Sequence, residues 1–466
     1  MVEERLDSAS RDAAIGPGVA SLLRAIANDL KRNDEAADAD LGLAPGTFAD
    51  LVAGRRAVTW ELIQRVSAVW PVSERDLLPV RDDCPLGVRV HRFESSLKSA
   101  RIIERGGAPY YEYRDTAMSR LASYRPEWIR MLRTVDNDDP GNPAVAWNSG
   151  HLLYQFTFFV GPVNYYYEWG GTKRCVRMRT GDSIFGLPFA PHTFTARDDT
   201  EPAYILALTY GGHLTGDPQR ELSALGPAAG DHLALSLSPE AGQAELLKGL
   251  LRGRMFTLPE LSARCHLSVV ELEAILAGHR QPSGQELAVL AEALDVAVRD
   301  LLLPAAGTVD GVAVQLAATA RSWWYPAEDD RAFRVTQLAR TAIHPHTTAL
   351  TVDVLANDEP DHNSFQTYQH QYVYVLDGVG SARMSWEHAG RRHHETISGG
   401  DSAYVKPGVP VRFSRTGPGI LRLLVLRIGG SVTTEVRSAL GAMPAGGVER
   451  YLAESQLWYD PKGGAR

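Results

Sequence analysis

Two periods alternate along this chain. Over residues 17–82, apolar side chains recur every three or four positions, as in "WELIQRVSAVW" (Trp60–Trp70). That spacing lays one apolar stripe along each of several short helices. From residue 83 the pattern shifts to short aromatic and β-branched runs cut by Gly, Asn and Pro. Such runs predict antiparallel strands joined by turns. The helical period returns over 240–304, as in "GQELAVLAEALDV" (Gly284–Val296), and the strand period over 308–430. The expected class is α+β, with helices and sheets in separate blocks.

The blocks repeat. "LVAGRR" (Leu51–Arg56) followed by "RDLLP" (Arg75–Pro79) returns as "ILAGHR" (Ile275–Arg280) followed by "RDLLLP" (Arg299–Pro304). Each helical block therefore reads as a bundle of helix-turn-helix type. "GDSIFGLPFAPHTF" (Gly181–Phe194) returns as "GDSAYVKPGVPVRF" (Gly400–Phe413). Gly-Asp followed by Pro-x-x-Pro resembles the second motif of a cupin, a jelly-roll barrel. The expected organisation is a helical domain (17–82), a cupin domain carrying a metal site (83–215), a second helical domain (240–304), a degenerate cupin domain (308–430) and a C-terminal extension (431–466). Pro218–Gly230 and Ala305–Gly311, rich in Gly, Pro and Ala, read as linkers.

Composition narrows the partners. The net charge is -8 over 466 residues, which gives no bulk attraction to nucleic acid or anionic membrane. The three cysteines, Cys84, Cys175 and Cys265, form no C-x-x-C pair. A disulfide framework or thiolate zinc site is not expected. The N-terminal "MVEERLDSASRD" has no apolar core of a signal peptide, and no run is long enough to span a bilayer. A cytoplasmic protein without membrane or nucleic-acid partners is the expectation.

One apolar stretch carries unexpected polarity. "GHLLYQFTFF" (Gly150–Phe159) looks like a buried strand, yet holds His151 and Gln155, four residues apart. On a strand those positions share a face. Asp182 matches Asp401, an offset of 219 positions, which sets His151 on His370, Gln155 on Tyr374 and His192 on Val411. The second half thus keeps one of three polar positions, which confines a chemical task to the first half. Imidazole is a common ligand for Fe, Zn and Cu, so the task reads as metal binding by His151, Gln155 and His192. A Gln in place of a carboxylate leaves the centre about one unit more positive, which suits an anionic chelating substrate. Glu168 in "NYYYEWGG" is a rival third ligand, Asp182 reads as a structural turn residue, and "RRHHE" (Arg391–Glu395) as a solvated hairpin.

The block order, with "SARIIERGGAPYYEYRDTA" (Ser99–Ala117) and "WNSGH" (Trp147–His151), resembles the phosphonate-biosynthesis cupin oxygenases. That family includes hydroxyethylphosphonate dioxygenase, hydroxypropylphosphonate epoxidase and methylphosphonate synthase. The resemblance covers nearly the whole chain. It implies Fe(II) as cofactor, with a small phosphonate and O2 as partners. It also implies that Arg105, Tyr113 and Asn148 bind the phosphonate. Lys31 would reach the site from a helical domain, in some members from a neighbouring chain of a homo-oligomer. Lys31 and Tyr113 would also take part in catalysis. The dioxygenase places a carboxylate ligand six residues before the second His, where this chain has Gly186; the epoxidase has Glu where this chain has Gln155. His-x-x-x-Gln with a later His is the synthase pattern. The implied reaction cleaves the C–C bond of 2-hydroxyethylphosphonate with O2 to give methylphosphonate and CO2. The nearest alternative gives hydroxymethylphosphonate and formate.

A transcriptional regulator with helix-turn-helix and cupin domains is the alternative of another class. Its recognition helices would be "SVVELEAILAG", with Glu271 and Glu273 and no basic residue, and "PGTFADLVAG", with Asp50 and no base before Arg55. Phosphate contacts need basic residues there, which speaks against it.

Overall fold

The computed structural model describes residue 15 and residues 18–227, 233–238, 241–304, 308, 310–344, 346–357, 364–376, 380–417 and 419–453. It divides into two compact units, Met1–Asp83 with Val432–Arg466, and Cys84–Ser431. Helices and antiparallel sheets occupy separate blocks, as the two periods predict.

In the first unit, helices Val19–Asp29, Asp34–Asp40, Thr47–Val52 and Trp60–Val69 precede a 3-10 turn at Glu74–Leu77. Their stripes meet in a core of Leu23, Phe48, Leu51, Ile63, Val66 and Trp70. The buried Asp38 carboxylate accepts from the amides of Gly46 (2.6 Å) and Phe48 (2.7 Å), closing the loop before the third helix.

The second unit repeats that helical pattern with Gly242–Arg254, Leu258–Cys265, Val269–Leu276, Gly284–Leu294 and the turn Val298–Leu301. Ser268 with Glu271, and Ser283 with Glu286, form capping boxes at two of these helices. The linker expected at Pro218–Gly230 instead begins with a helix, Asp217–Leu225, which buries no side chain. Residues 228–230, and much of the linker expected at Ala305–Gly311, lie outside the described residues.

Among the described residues, most of the rest of this unit is twenty strands. The first ten are β1 (Val88–His91), β2 (Arg101–Arg105), β3 (Ala108–Asp115), β4 (Tyr124–Met131), β5 (Tyr154–Val160), β6 (Val163–Trp169), β7 (Thr172–Met178), β8 (Ser183–Gly186), β9 (His192–Ala196) and β10 (Tyr204–Tyr210). The second ten are β11 (Val312–Gln315), β12 (Ser322–Tyr325), β13 (Phe333–Gln337), β14 (Thr347–Val354), β15 (His370–Val375), β16 (Ser381–His388), β17 (Arg391–Ser398), β18 (Ser402–Val405), β19 (Val411–Arg415) and β20 (Leu421–Ile428). The sheets run β11-β8-β5-β10-β4-β3-β2 with β7-β6-β9, and β1-β18-β15-β20-β14-β13-β12 with β17-β16-β19. A shift of ten strands converts one order into the other, with one exchange. β1 pairs in the second half's sheet, against β18, and β11 pairs in the first half's sheet, against β8. Val88 and Val312 accordingly lie in the cores of the opposite halves. Contiguous stretches such as 83–215 and 308–430 therefore each lend a leading strand to the other, which no sequence period reports.

Alternation sorts each strand between two cores. Tyr154, Phe156 and Phe158 of β5 join Tyr372 and Tyr374 of β15 in one cluster shared by the two large sheets. Phe159 and Val373 face the interiors of their own halves. This corrects the offset of 219. It holds for β8 with β18 and for β9 with β19. On β5, however, Gln155 pairs with Gly186, while Gln371 pairs with Val405, the partner that the same offset assigns to Gly186. Gln155 thus corresponds to Gln371, and Tyr374 points to the opposite face. His370 sits against Tyr404, its Nδ1 2.8 Å from the hydroxyl.

The two Gly-Asp turns latch the exchange. Asp182 accepts from the amides of Arg179 and Ala317, both at 2.8 Å. Asp401 accepts from Phe93 (2.9 Å) and Ser398 (3.1 Å), and from Arg92 (3.1 Å). Each Asp so ties its own turn to the segment that enters from the other half. Asp182→Ala or Asp401→Ala is expected to lower the unfolding free energy by about 1–3 kcal/mol for each buried amide left unpaired. Urea unfolding reads this. An unchanged midpoint in both variants would mean that strand pairing alone holds the exchange.

Candidate metal and anion site

A cavity of about 290 Å³ opens on the inner face of the first half's large sheet, walled by Arg105, Tyr113, Asn148, His151, Gln155 and His192 among others. Six of the seven residues expected from sequence therefore meet in one place. Lys31 does not line it. That residue is exposed in the other unit, with a left-handed φ of 56° and its Nζ donating to the Asp29 carbonyl at 2.7 Å.

The three expected ligands come from different local structures. His151 lies just before the bend that leads into β5 and is not part of the strand, contrary to the reading of Gly150–Phe159 as one strand. Gly150, at φ +75°, lets that bend close on the loop before His192: a Cβ there would lie 2.6 Å from the Phe189 carbonyl carbon. Gln155 lies on β5 and His192 begins β9. Asn148 ties these pieces together, its Oδ1 accepting from the amides of Gly150 (3.0 Å) and His192 (2.8 Å).

Hydrogen bonding fixes which atoms face the cavity. His151 Nδ1 donates to the Leu153 carbonyl and His192 Nδ1 to the Ala190 carbonyl, both at 2.9 Å. In the neutral rings this leaves each Nε2 as a lone pair. His151 Nε2 then lies 3.1 Å from Gln155 Oε1, whose amide nitrogen donates to Thr157 Oγ1 at 2.9 Å. Two acceptors so face each other with no hydrogen between them, and the two His rings stand 5.1 Å apart. A cation resolves that conflict, so the donor set fits a divalent metal. Among the described residues, no cluster of three or more His, Cys, Asp and Glu could hold one. The acceptor beside the two imidazoles is the Gln155 amide oxygen. Glu168 lies on β6 opposite Lys173, outside the cavity wall.

The wall around Arg105 is built on Thr193, which sequence reasoning missed. Its buried hydroxyl meets Arg105 Nη1 (3.3 Å), Tyr110 (3.2 Å) and Tyr111 (3.0 Å), while Arg105 also donates to the Ala146 carbonyl at 3.1 Å. The guanidinium rests 4.9 Å from the Tyr111 ring centre. Tyr113 also lines the cavity. Burial pushes its hydroxyl upward and Glu127 adds to this, while Arg105 and Arg101 oppose it, so it remains a donor at neutral pH. Glu127 and Thr209 also line the cavity unforeseen; alternation along β4 and β10 was the available signal.

The second half shows what happens without the His pair. Gln371 is fully buried, and its Oε1 accepts from Arg427 Nε at 2.8 Å. A guanidinium there supplies the positive charge, and Val411 replaces His192.

Burial holds His192 down to about 4, with the charges of His151 and Arg105 pushing the same way and the Ala190 carbonyl opposing. The ring is therefore neutral and ready to ligate at physiological pH. In the metal-free protein, unfolded His192 takes a proton near 6.5 that the folded ring refuses until about 4. Stability should be full above pH 6.5 and fall as pH drops through that window. His192→Phe should show a shallower fall in denaturant unfolding free energy across the same range. The fall should not vanish, because His344 is also held down to about 4 by burial. An unchanged slope would mean that His192 is not buried as described.

No family model matches the chain. It is 38% identical over 441 residues, 94% of each chain, to the methylphosphonate synthase of Nitrosopumilus maritimus (strain SCM1). Its fold matches that of the Streptomyces albus 2-hydroxyethylphosphonate dioxygenase, solved with 2-hydroxyethylphosphonate and Fe(II) bound, with a TM-score of 0.92 and 54% identity over 96% of this chain and 100% of that one. A more distant 2-hydroxyethylphosphonate dioxygenase shares the fold at a TM-score of 0.71 and 19% identity, over 93% of this chain and 99% of that one. With that degree of identity along nearly its whole length, the chain belongs to the family of methylphosphonate synthase and 2-hydroxyethylphosphonate dioxygenase.

Proposed function

We propose that this chain is an Fe(II)-dependent oxygenase that cleaves the C–C bond of 2-hydroxyethylphosphonate with O2. The carrying observation is the set of converging acceptors on His151, Gln155 and His192 beside the Arg105 guanidinium, in a fold whose relative was solved with that substrate and Fe(II). His151, Gln155 and His192 would hold the metal, which when bound supplies the means to activate O2 beside the substrate. Arg105 binds phosphonate oxygens through a planar fork of donors. Tyr113 and the Asn148 amide add single donors. Lys31 would be the further cation, brought by a helical domain of this chain or of a neighbouring one. The two halves read as tandem pairs of a helix-turn-helix-type bundle and a cupin barrel, with the metal in the first.

The product has two readings. His-x-x-x-Gln with a later His favours methylphosphonate and CO2. The higher identity to the dioxygenase, 54% against 38%, favours hydroxymethylphosphonate and formate. Both balance with one O2 and no outside electrons, the first releasing water as well, so neither needs a co-substrate such as 2-oxoglutarate. A DNA-binding role is less supported. Glu271 is used in a capping box, and Arg55 is paired with Asp50 at 2.8 Å. No described helix is long and apolar enough to cross a membrane. The free cysteines Cys84, Cys175 and Cys265 fit a reducing, cytoplasmic setting.

Anaerobic loading with Fe(II), addition of 2-hydroxyethylphosphonate and O2, and phosphorus NMR test the reading and separate the products. No new phosphorus signal would overturn it. His151→Ala and His192→Ala should each lose iron while remaining folded, and His370→Ala should keep it. Iron retained in the first two would place the metal elsewhere. Gln155→Ala should also lose iron. Gly186 lies opposite Gln155, and a Cβ there meets nothing nearer than the Gln155 carbonyl oxygen at 3.8 Å. Gly186→Glu in the Gln155→Ala background should therefore regain iron through a carboxylate from the adjacent strand. Failure to regain it would show that the two positions do not reach the same point.

A further inference from the structure

We propose that Glu127 determines specificity at this site by excluding phosphonates that carry a second negative group, an inference that rests on the phosphonate substrate proposed above. A carboxylate in the wall of a pocket for an anion is costly and calls for a role. Glu127 is placed there by register. On β4 it pairs with Ala207 of β10 and with Asp115 of β3, and Ala207 pairs in turn with Thr157 of β5. Residues directly opposite one another share a face of the sheet. Glu127 therefore stands on the inner face, one row from the pair Gln155 and Thr209.

Its charge is not cancelled by its partner. Arg101 lies 3.3 Å from Glu127 but 2.7 Å from Asp115. Burial pushes the Glu127 carboxyl upward and Asp115 adds to this, while Arg101 and His151 pull it down. One guanidinium shared between two ionised carboxylates leaves one negative charge over. The Glu127 side chain is only 29% exposed, so water screens that charge incompletely. Arg105 and Glu127 line the same cavity of about 290 Å³, so a ligand held by Arg105 keeps its far end in the same confined space as the Glu127 carboxylate. A hydroxyl at that end is neutral and can donate to the carboxylate. A carboxylate at that end meets a like charge in a half-dry pocket.

The test compares two ligands on one protein. The full-length chain, loaded anaerobically with Fe(II), is titrated calorimetrically with 2-hydroxyethylphosphonate and with phosphonoacetate. In Glu127→Gln, affinity for phosphonoacetate relative to 2-hydroxyethylphosphonate should rise by about tenfold or more. Glu127→Asp, which keeps the charge, should retain the parental ratio. A merely structural role would weaken both ligands together in Glu127→Gln and leave the ratio unmoved, which overturns the inference. If the parent turns over 2-hydroxyethylphosphonate while the ratio ignores Glu127, only this inference falls. If the parent binds neither phosphonate, the proposed substrate fails and the inference fails with it.

Discussion

The contact on which the site depends is the packing of the two large sheets against each other. β5 is buried on both faces, and its aromatic side chains at 154, 156 and 158 fill the shared cluster with Tyr372 and Tyr374. Those large rings fit only on that side. A slip of one residue would turn them into the cavity and send Gln155 outward. The polar positions thus face the interior because the aromatic ones are claimed by the other half. The register of β5, which carries Gln155, is set by its packing against the other half's sheet.

Much of this was legible in the chain. The change from helical to strand period located the helical and sheet blocks, and the Gly-Asp repeat identified the duplication. His151, Gln155 and His192 stood out because each is polar within an apolar or aromatic run, and Arg105 came from the family resemblance. What was not legible depends on register. The offset read from Asp182 and Asp401 is right for the strands beside those turns and wrong by three positions for β5 with β15, where Gln155 corresponds to Gln371. Loop lengths absorb such shifts without leaving a mark in a single sequence. Thr193 and Glu127 were missed for another reason. A Thr and a Glu on strands are ordinary until the fold sets them beside Arg105 or within the cavity.

The corrected register changes what the second half says about the first. It has not simply lost polarity. It retains the glutamine and supplies Arg427 as the cation that glutamine faces. A buried amide oxygen needs a donor or a positive charge nearby. One half can meet that need with a removable ion held by two imidazoles, and the other meets it with a side chain. The comparison separates two requirements at this position, which are a charge partner for the amide and an exchangeable one for chemistry.

The exchange of β1 and β11 makes the two halves one folding object. Each core contains a valine from the other half, and each Gly-Asp turn is tied to an incoming segment. Cutting the chain between the halves would leave two sheets, each missing an outer strand and each with a carboxylate facing amides that are gone. A duplicated domain can normally be separated from its twin. Here neither half can be shed, because each carries part of the other's sheet.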